Sequence, residues 1–183
     1  MEVYTADGVL LKRLEPRVGL VEALALKWPR LAAANHKGEL WLIDLETSAA
    51  SLMNRGEYGL ITDRAWHPPG RWLAYAKPAG VYVQNIRLYD AAGGGTYDVT
   101  SPTAYDYSPS FDPEGRFLYF LSRRALNPSM DPVQFVYSFA KPSKPYLVAL
   151  RRGDPSPTCI GQASNTASEI CIYKKLRIDE CKG

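Results

Sequence analysis

The sequence predicts an all-β fold built from a repeated four-stranded unit, and three observations carry that prediction. Aromatic residues are plentiful, with 12 Tyr, 5 Phe and 4 Trp among 183 residues, alongside 14 Gly and 14 Pro. Strands favour large flat side chains, and scattered Gly and Pro mark frequent turns. A turn-centred motif recurs: Ala65-Trp66-His67-Pro68-Pro69-Gly70-Arg71-Trp72-Leu73-Ala74-Tyr75 aligns with Ser110-Phe111-Asp112-Pro113-Glu114-Gly115-Arg116-Phe117-Leu118-Tyr119-Phe120, Phe111 standing 45 positions after Trp66. Against these turns, no window of about 11 residues keeps the i, i+3, i+4, i+7 apolar spacing of an amphipathic helix.

Each element can be placed in chain order. Glu2 to Leu11 reads as the last hairpin of a preceding unit. Val18 to Leu26 reads as the innermost strand of the next one. The following Leu26-Lys27-Trp28-Pro29-Arg30-Leu31-Ala32-Ala33-Ala34 is a worn copy of the motif, its Leu31 lying 42 positions before Leu73. A polar connection, Asn35-His36-Lys37-Gly38, leads to a third strand, Leu40-Trp41-Leu42-Ile43-Asp44. That strand recurs as Ile86-Arg87-Leu88-Tyr89-Asp90, Asp90 lying 46 positions after Asp44. Ser51 to Asn54 and Tyr97 to Val99 are short fourth strands. Within each turn, Pro fixes φ at the second position and Gly accepts the positive φ that closes it.

Four antiparallel strands every ~45 residues is the blade of a β-propeller. The expectation is therefore a partial β-propeller of about three to four blades over residues 1–157. It comprises a remnant at 1–14 and blades near 15–57, 58–102 and 103–150, with an irregular tail at 158–183. Such an arc leaves uncovered apolar faces at its ends, which predicts that residues 1–157 expressed alone self-associate.

Composition excludes several classes. Hydrophobic residues at 46% and charged residues at 22% describe an ordinary globular chain. A net charge of +3, from 22 basic and 19 acidic residues, demands no nucleic acid partner. No apolar run reaches the ~18 residues of a membrane span. Met1 is followed by Glu2 and Asp7, without the basic and apolar regions of a signal peptide. The three cysteines, Cys159, Cys171 and Cys181, all lie in the tail, which suits a reducing compartment.

Candidate chemistry is sparse, and neither a catalytic residue, a cofactor site nor a metal site is expected. The chain has two histidines. His67 opens the Pro68-Pro69-Gly70 turn and His36 sits in a polar connection, so both read as turn residues rather than catalytic bases. Gly93-Gly94-Gly95-Thr96 lacks the lysine and helix of a phosphate loop and reads as a hairpin turn. The cysteines lack the paired spacing of zinc ligands. Asp44, Asp90 and Asp112 stand near turns, two of them in phase, where carboxylates accept backbone N–H groups. The basic and aromatic set Arg71, Trp72, Arg116, Phe117, Arg123 and Arg124 reads as strand and turn surface. The stretch from Arg124 to Pro132 departs furthest from the repeat, and loops on a rigid scaffold are where binding concentrates. Arg123, Arg124, Asn127 and Asp131 are thus the candidate substrate-channel or inter-domain contacts.

One stretch is more particular: Tyr107-Ser108-Pro109-Ser110-Phe111-Asp112, Leu118-Tyr119-Phe120-Leu121-Ser122-Arg123-Arg124, Asn127-Pro128, Asp131-Pro132-Val133-Gln134-Phe135, Ser138-Phe139 and Lys144-Pro145-Tyr146-Leu147-Val148-Ala149-Leu150. It resembles the closing blades of the second, seven-bladed propeller of tricorn proteases. Asp44-Leu45-Glu46-Thr47, Ile61-Thr62-Asp63 and Ile86 to Asp90 extend the likeness over most of Glu15 to Pro157, where it stops.

The resemblance implies a non-catalytic piece of a large, cytoplasmic, homo-oligomeric serine protease that degrades oligopeptides. In that family the propellers gate and conduct peptides to a chamber formed by other domains. No family catalytic residue falls on this chain. The missing blades and catalytic domains would belong to the same parent, and the tail reads as the product of a frameshift or truncation. The alternative is a TolB-like propeller acting as a protein-interaction module in the bacterial envelope, without any protease.

Overall fold

The computed structural model describes residues 2–4, 10–13, 18–27, 29–124, 128–130, 137–139, 142–151 and 171–175. Every regular element among them is a β-strand. The all-β expectation holds, and the sheets form an open arc.

Strands β1 (Glu2–Tyr4) and β2 (Leu10–Arg13) pair antiparallel. The first four-stranded sheet runs in chain order through β3 (Val21–Lys27), β4 (Arg30–Asn35), β5 (Glu39–Asp44) and β6 (Ala50–Arg55). The second follows the same order through β7 (Arg64–Trp66), β8 (Trp72–Gly80), β9 (Val83–Asp90) and β10 (Thr96–Asp98). The third begins with β11 (Asp106–Phe111) and β12 (Phe117–Ser122). A separate hairpin, β13 (Pro128–Met130) with β14 (Tyr137–Phe139), intervenes before β15 (Lys144–Ala149) pairs with β12. The segment after Pro157, expected as irregular, supplies one short strand, β16 (Cys171–Lys175), which lies parallel to β15.

The repeated turns have the same hydrogen bonds. In the second sheet, the His67 N–H donates to Trp72 O at 2.8 Å and the Gly70 N–H to His67 O at 2.7 Å. In the third, the Asp112 N–H donates to Phe117 O at 3.2 Å and the Gly115 N–H to Asp112 O at 3.0 Å. Gly70 and Gly115 take φ of +79° and +65°, the left-handed values that glycine adopts without a Cβ penalty. The worn copy in the first sheet closes more tightly, with Lys27 facing Arg30 directly in the β3–β4 ladder.

Successive side chains of a strand point to opposite faces, so a strand covered on both faces reads as a continuous apolar run. This explains β8, whose Trp72 to Ala76 are all buried. Leu73 and Tyr75 pack with Ala32, Ala34 and Leu40 of the first sheet. Trp72, Ala74 and Ala76 pack with Leu118, Phe120 and Tyr146 of the third. Each sheet therefore has a leading face turned to the preceding sheet and a trailing face turned to the next. The first strands of the sheets, β3, β7 and β11, lie side by side.

Candidate functional site

The candidate residues begin where β12 ends. Arg123 pairs through its N–H with Tyr105 O at 3.0 Å, which continues the ladder between β11 and β12. Its exposed guanidinium lies 5.2 Å and 5.6 Å from the ring centres of Tyr105 and Tyr107, within cation–π range. The Tyr107 hydroxyl donates to Ser143 Oγ at 2.8 Å, which fixes that ring.

Arg124 follows directly and turns to the opposite face. Its Nη2 donates to Asp106 Oδ2 at 2.6 Å, and its Nε donates to Ser122 Oγ at 2.8 Å. The guanidinium also lies over Tyr146 and Phe120, at 5.0 Å and 5.8 Å. Asp106 is fully buried. The two arginines therefore do not converge on one ligand: Arg124 is spent on an internal carboxylate, and Arg123 faces outward. Asn127 and Asp131 lie outside the described residues.

A groove of about 440 Å³ opens along the first strands, lined by Leu24, Thr62, Asp63, Arg64, Ser108, Pro109 and Ser110. Asp63 Oδ2 accepts the Ser108 N–H at 2.9 Å and so ties the second sheet to the third. Ser108 takes a φ of +52°, which turns its N–H toward that carboxylate. Arg64 Nη2 donates to Thr62 O at 2.6 Å. Burial pushes the Arg64 guanidinium below its ordinary value, opposed by the Asp63 charge. None of these groove residues was a candidate. The signal that could have found Asp63 and Ser108 is their shared place in the repeat, 45 positions apart.

The other sequence candidates occupy turns. His67 Nε2 donates to Gly115 O at 3.0 Å, and its ring meets Phe111 edge-on with centres 5.1 Å apart. Because the partner is a carbonyl, Nε2 carries the proton. His36 stands exposed at a turn, its Nδ1 3.3 Å from Leu20 O. Gly94 donates to Asp90 O at 2.7 Å in the hairpin turn of the triple glycine. Asp44 Oδ1 accepts the N–H groups of Glu46 and Thr47, and those bonds, Thr47 foremost, lower its pKa. Asp112 Oδ1 accepts the Phe117 N–H at 2.6 Å. Asp90 takes a two-pronged bond from Arg71, at 3.1 Å and 2.7 Å, which lowers its pKa.

The polar connection between β4 and β5 folds into a network that the sequence did not single out. Asn35 Nδ2 donates to Glu39 Oε2 at 2.7 Å and to Val18 O at 2.6 Å. Trp41 Nε1 donates to Glu39 Oε2 at 3.1 Å, and Arg55 Nη2 donates to Oε1. These donors, Asn35 foremost, hold the Glu39 carboxyl at about 2. Among the described residues, no cluster of three or more His, Cys, Asp or Glu side chains is arranged to hold a metal ion. No helix among them is long and apolar enough to cross a membrane.

Comparison with known proteins gives a consistent result. The family model described as the tricorn protease second beta propeller domain matches residues 1–170, past Pro157 where the sequence likeness was read to stop. The chain is 46% identical over 121 residues to a tricorn protease homolog of Saccharolobus solfataricus, covering 66% of this chain and 11% of that protein. It is 35% identical over 140 residues to the tricorn protease of Thermoplasma acidophilum, covering 73% and 13% respectively. Among solved structures, the crystal structure of the tricorn protease superposes with a TM-score of 0.77 at 31% identity, over 90% of this chain and 17% of that one. The chain thus spans between 11% and 17% of the length of these relatives.

Proposed function

Because the chain belongs to the tricorn protease family, as part of its second β-propeller domain, we propose that it is a non-catalytic wall of the peptide passage in such a protease. The observation that carries this reading is the alignment of β3, β7 and β11, along which Leu24, Arg64 and Ser110 border one open groove. Exposed polar side chains of Thr62, Ser108 and Ser110 stand there beside the exposed Leu24, a surface suited to extended peptides of mixed sequence. Peptide hydrolysis belongs to other domains of a parent protease, together with the remaining blades. A cytoplasmic, homo-oligomeric parent acting on oligopeptides is part of the same reading.

Two measurements test it. The 183-residue chain, incubated with fluorogenic oligopeptides, is expected to release no product, and turnover by the chain alone would overturn the reading. In a full-length protease carrying this segment, Leu24→Trp narrows the groove. Hydrolysis of long peptides is then expected to slow more than that of peptides of a few residues. An equal effect on both, or none, would remove the passage role.

A further inference from the structure

The second sheet opens a polar cleft against the first. On its leading face the apolar packing reaches Tyr75, which clusters with Ala32 and Ala34. Side chains two positions apart in a strand share a face, so Lys77 continues that face beyond the apolar packing. Asn85 stands opposite Lys77 in the β8–β9 ladder, and Asp98 stands opposite Arg87 in the β9–β10 ladder. These four residues line a cleft of about 240 Å³, with Tyr58 and Pro102 among its other walls. The cleft shares no lining residue with the groove along the first strands.

The polar groups there are unevenly satisfied. Arg87 Nε lies 2.7 Å from Asp98 Oδ1, so those two charges compensate each other. Asn85 is 5% exposed, and its Nδ2 donates to Asp98 Oδ1 at 2.8 Å and to Thr100 O at 3.3 Å. Both of its N–H groups are thereby used, while its Oδ1 accepts no hydrogen bond among the described residues. The half-buried Lys77 ammonium likewise makes no hydrogen bond or ion pair among them. Glu57, the remaining charged residue of the lining, is exposed. A buried acceptor left without a donor carries an uncompensated desolvation cost, which a ligand that supplies the donor would relieve.

An uncompensated cation beside an unpaired acceptor complements a carboxylate that has an amide N–H next to it. That combination occurs at the C-terminal residue of a peptide and at an aspartate within one. We propose that the cleft binds such a carboxylate, with Lys77 taking the charge, Asn85 Oδ1 accepting the amide N–H and the exposed Tyr58 ring covering the adjoining side chain. Its volume lies below the ~300–1,000 Å³ of sites for drug-sized ligands, so it takes one residue at a time. This goes beyond the peptide-passage reading and uses none of the groove's residues, so either can fail without the other.

Titration of the nitrogen-labelled 183-residue chain with two-residue probes, followed by proton–nitrogen correlation spectra, tests it. Acetyl-Gly-Phe with a free carboxylate and acetyl-Asp-Phe-amide are expected to shift the Lys77 and Asn85 backbone amides and the Asn85 side-chain amide saturably. Acetyl-Gly-Phe-amide, which has no carboxylate, is expected to leave them in place. A response to the first probe alone assigns the cleft to peptide C-termini, and a response to the second alone assigns it to internal acidic residues. Lys77→Met should weaken binding about tenfold, as for the loss of a hydrogen bond to a charged group, and Lys77→Arg should retain it. Should Lys77→Met alter the spectrum far from the cleft, Lys77→Gln takes its place. No saturable shift with either carboxylate probe, an equal response to the amide probe, or binding that survives the loss of the Lys77 charge would each overturn the proposal.

Discussion

The imidazole Nε2 of His67 lies 3.0 Å from the carbonyl oxygen of Gly115, joining the first turn of the second sheet to the equivalent turn of the third. The same approach leaves no room for a side chain at Gly115, where a Cβ would fall 2.4 Å from that nitrogen. Gly115→Ala is expected to cost about 1–2 kcal/mol for the left-handed backbone, and about 1–3 kcal/mol more for the overlap. Urea unfolding measures both parts, because His67→Ala in the same chain removes the overlap and leaves the backbone cost. Equal losses with and without His67 would show that the contact does not matter.

Asp106 and Arg124 make the most buried ion pair among those described, with side-chain exposures of 0% and 16%. Removing one partner strands the other, so Arg124→Met is expected to cost about 3–5 kcal/mol. The double variant Asp106→Leu/Arg124→Met should cost less than the two single changes together. Arg123→Ala, which loses only exposed cation–π contacts, should cost about 0.5–1 kcal/mol. Chemical denaturation of the four variants checks the order.

Glu39 gives the fold an acid dependence. Its folded carboxyl sits at about 2 against an ordinary 4.5, so the folded chain binds fewer protons than the unfolded one in between. The stabilisation is complete above 4.5 and is lost as the pH falls toward 2. The urea midpoint of the wild type should fall across that window, and that of Glu39→Gln should fall less. Asp44 and Asp90, both lowered by their partners, supply a remaining slope of the same sign.

The carboxylate of Asp63 is the groove's link between sheets. Asp63→Ala frees the Ser108 N–H and is expected to cost about 1–3 kcal/mol, as for a bond to a charged acceptor. Ser108→Gly, which removes the penalty of the positive φ, should be neutral or slightly stabilising. A stabilised Asp63→Ala would show that the bond contributes nothing.

The fold was legible because its signals are local. A Pro-Gly turn flanked by apolar strands needs only about ten residues to declare itself, and the in-phase Asp44 and Asp90 declare the strand ends. The site was less legible because its contacts join residues of different sheets. Nothing in Asp63 or Ser108 alone shows that the two meet, and a network such as Asn35, Glu39, Trp41 and Arg55 depends on strand register. Arg123 and Arg124 were read as a pair, although neighbours on a strand-like segment point to opposite faces. That alternation separates them here, one to solvent and one to Asp106. β16 escaped because its strand partner, β15, lies more than twenty residues earlier in the chain.

The interleaving of apolar faces has a consequence for how the arc comes apart. Ala74 and Tyr75 are neighbours in β8, yet they serve different clusters, one shared with each adjoining sheet. The middle sheet packs both of its faces into clusters shared with its neighbours, so cooperativity passes from sheet to sheet as in a one-dimensional array, through nearest-neighbour coupling. Losing an outer sheet exposes one face of the middle one, whereas losing the middle sheet strips both its neighbours. The central amides, in β8 and β9, should accordingly exchange with solvent last, and fraying should advance inward from the two ends.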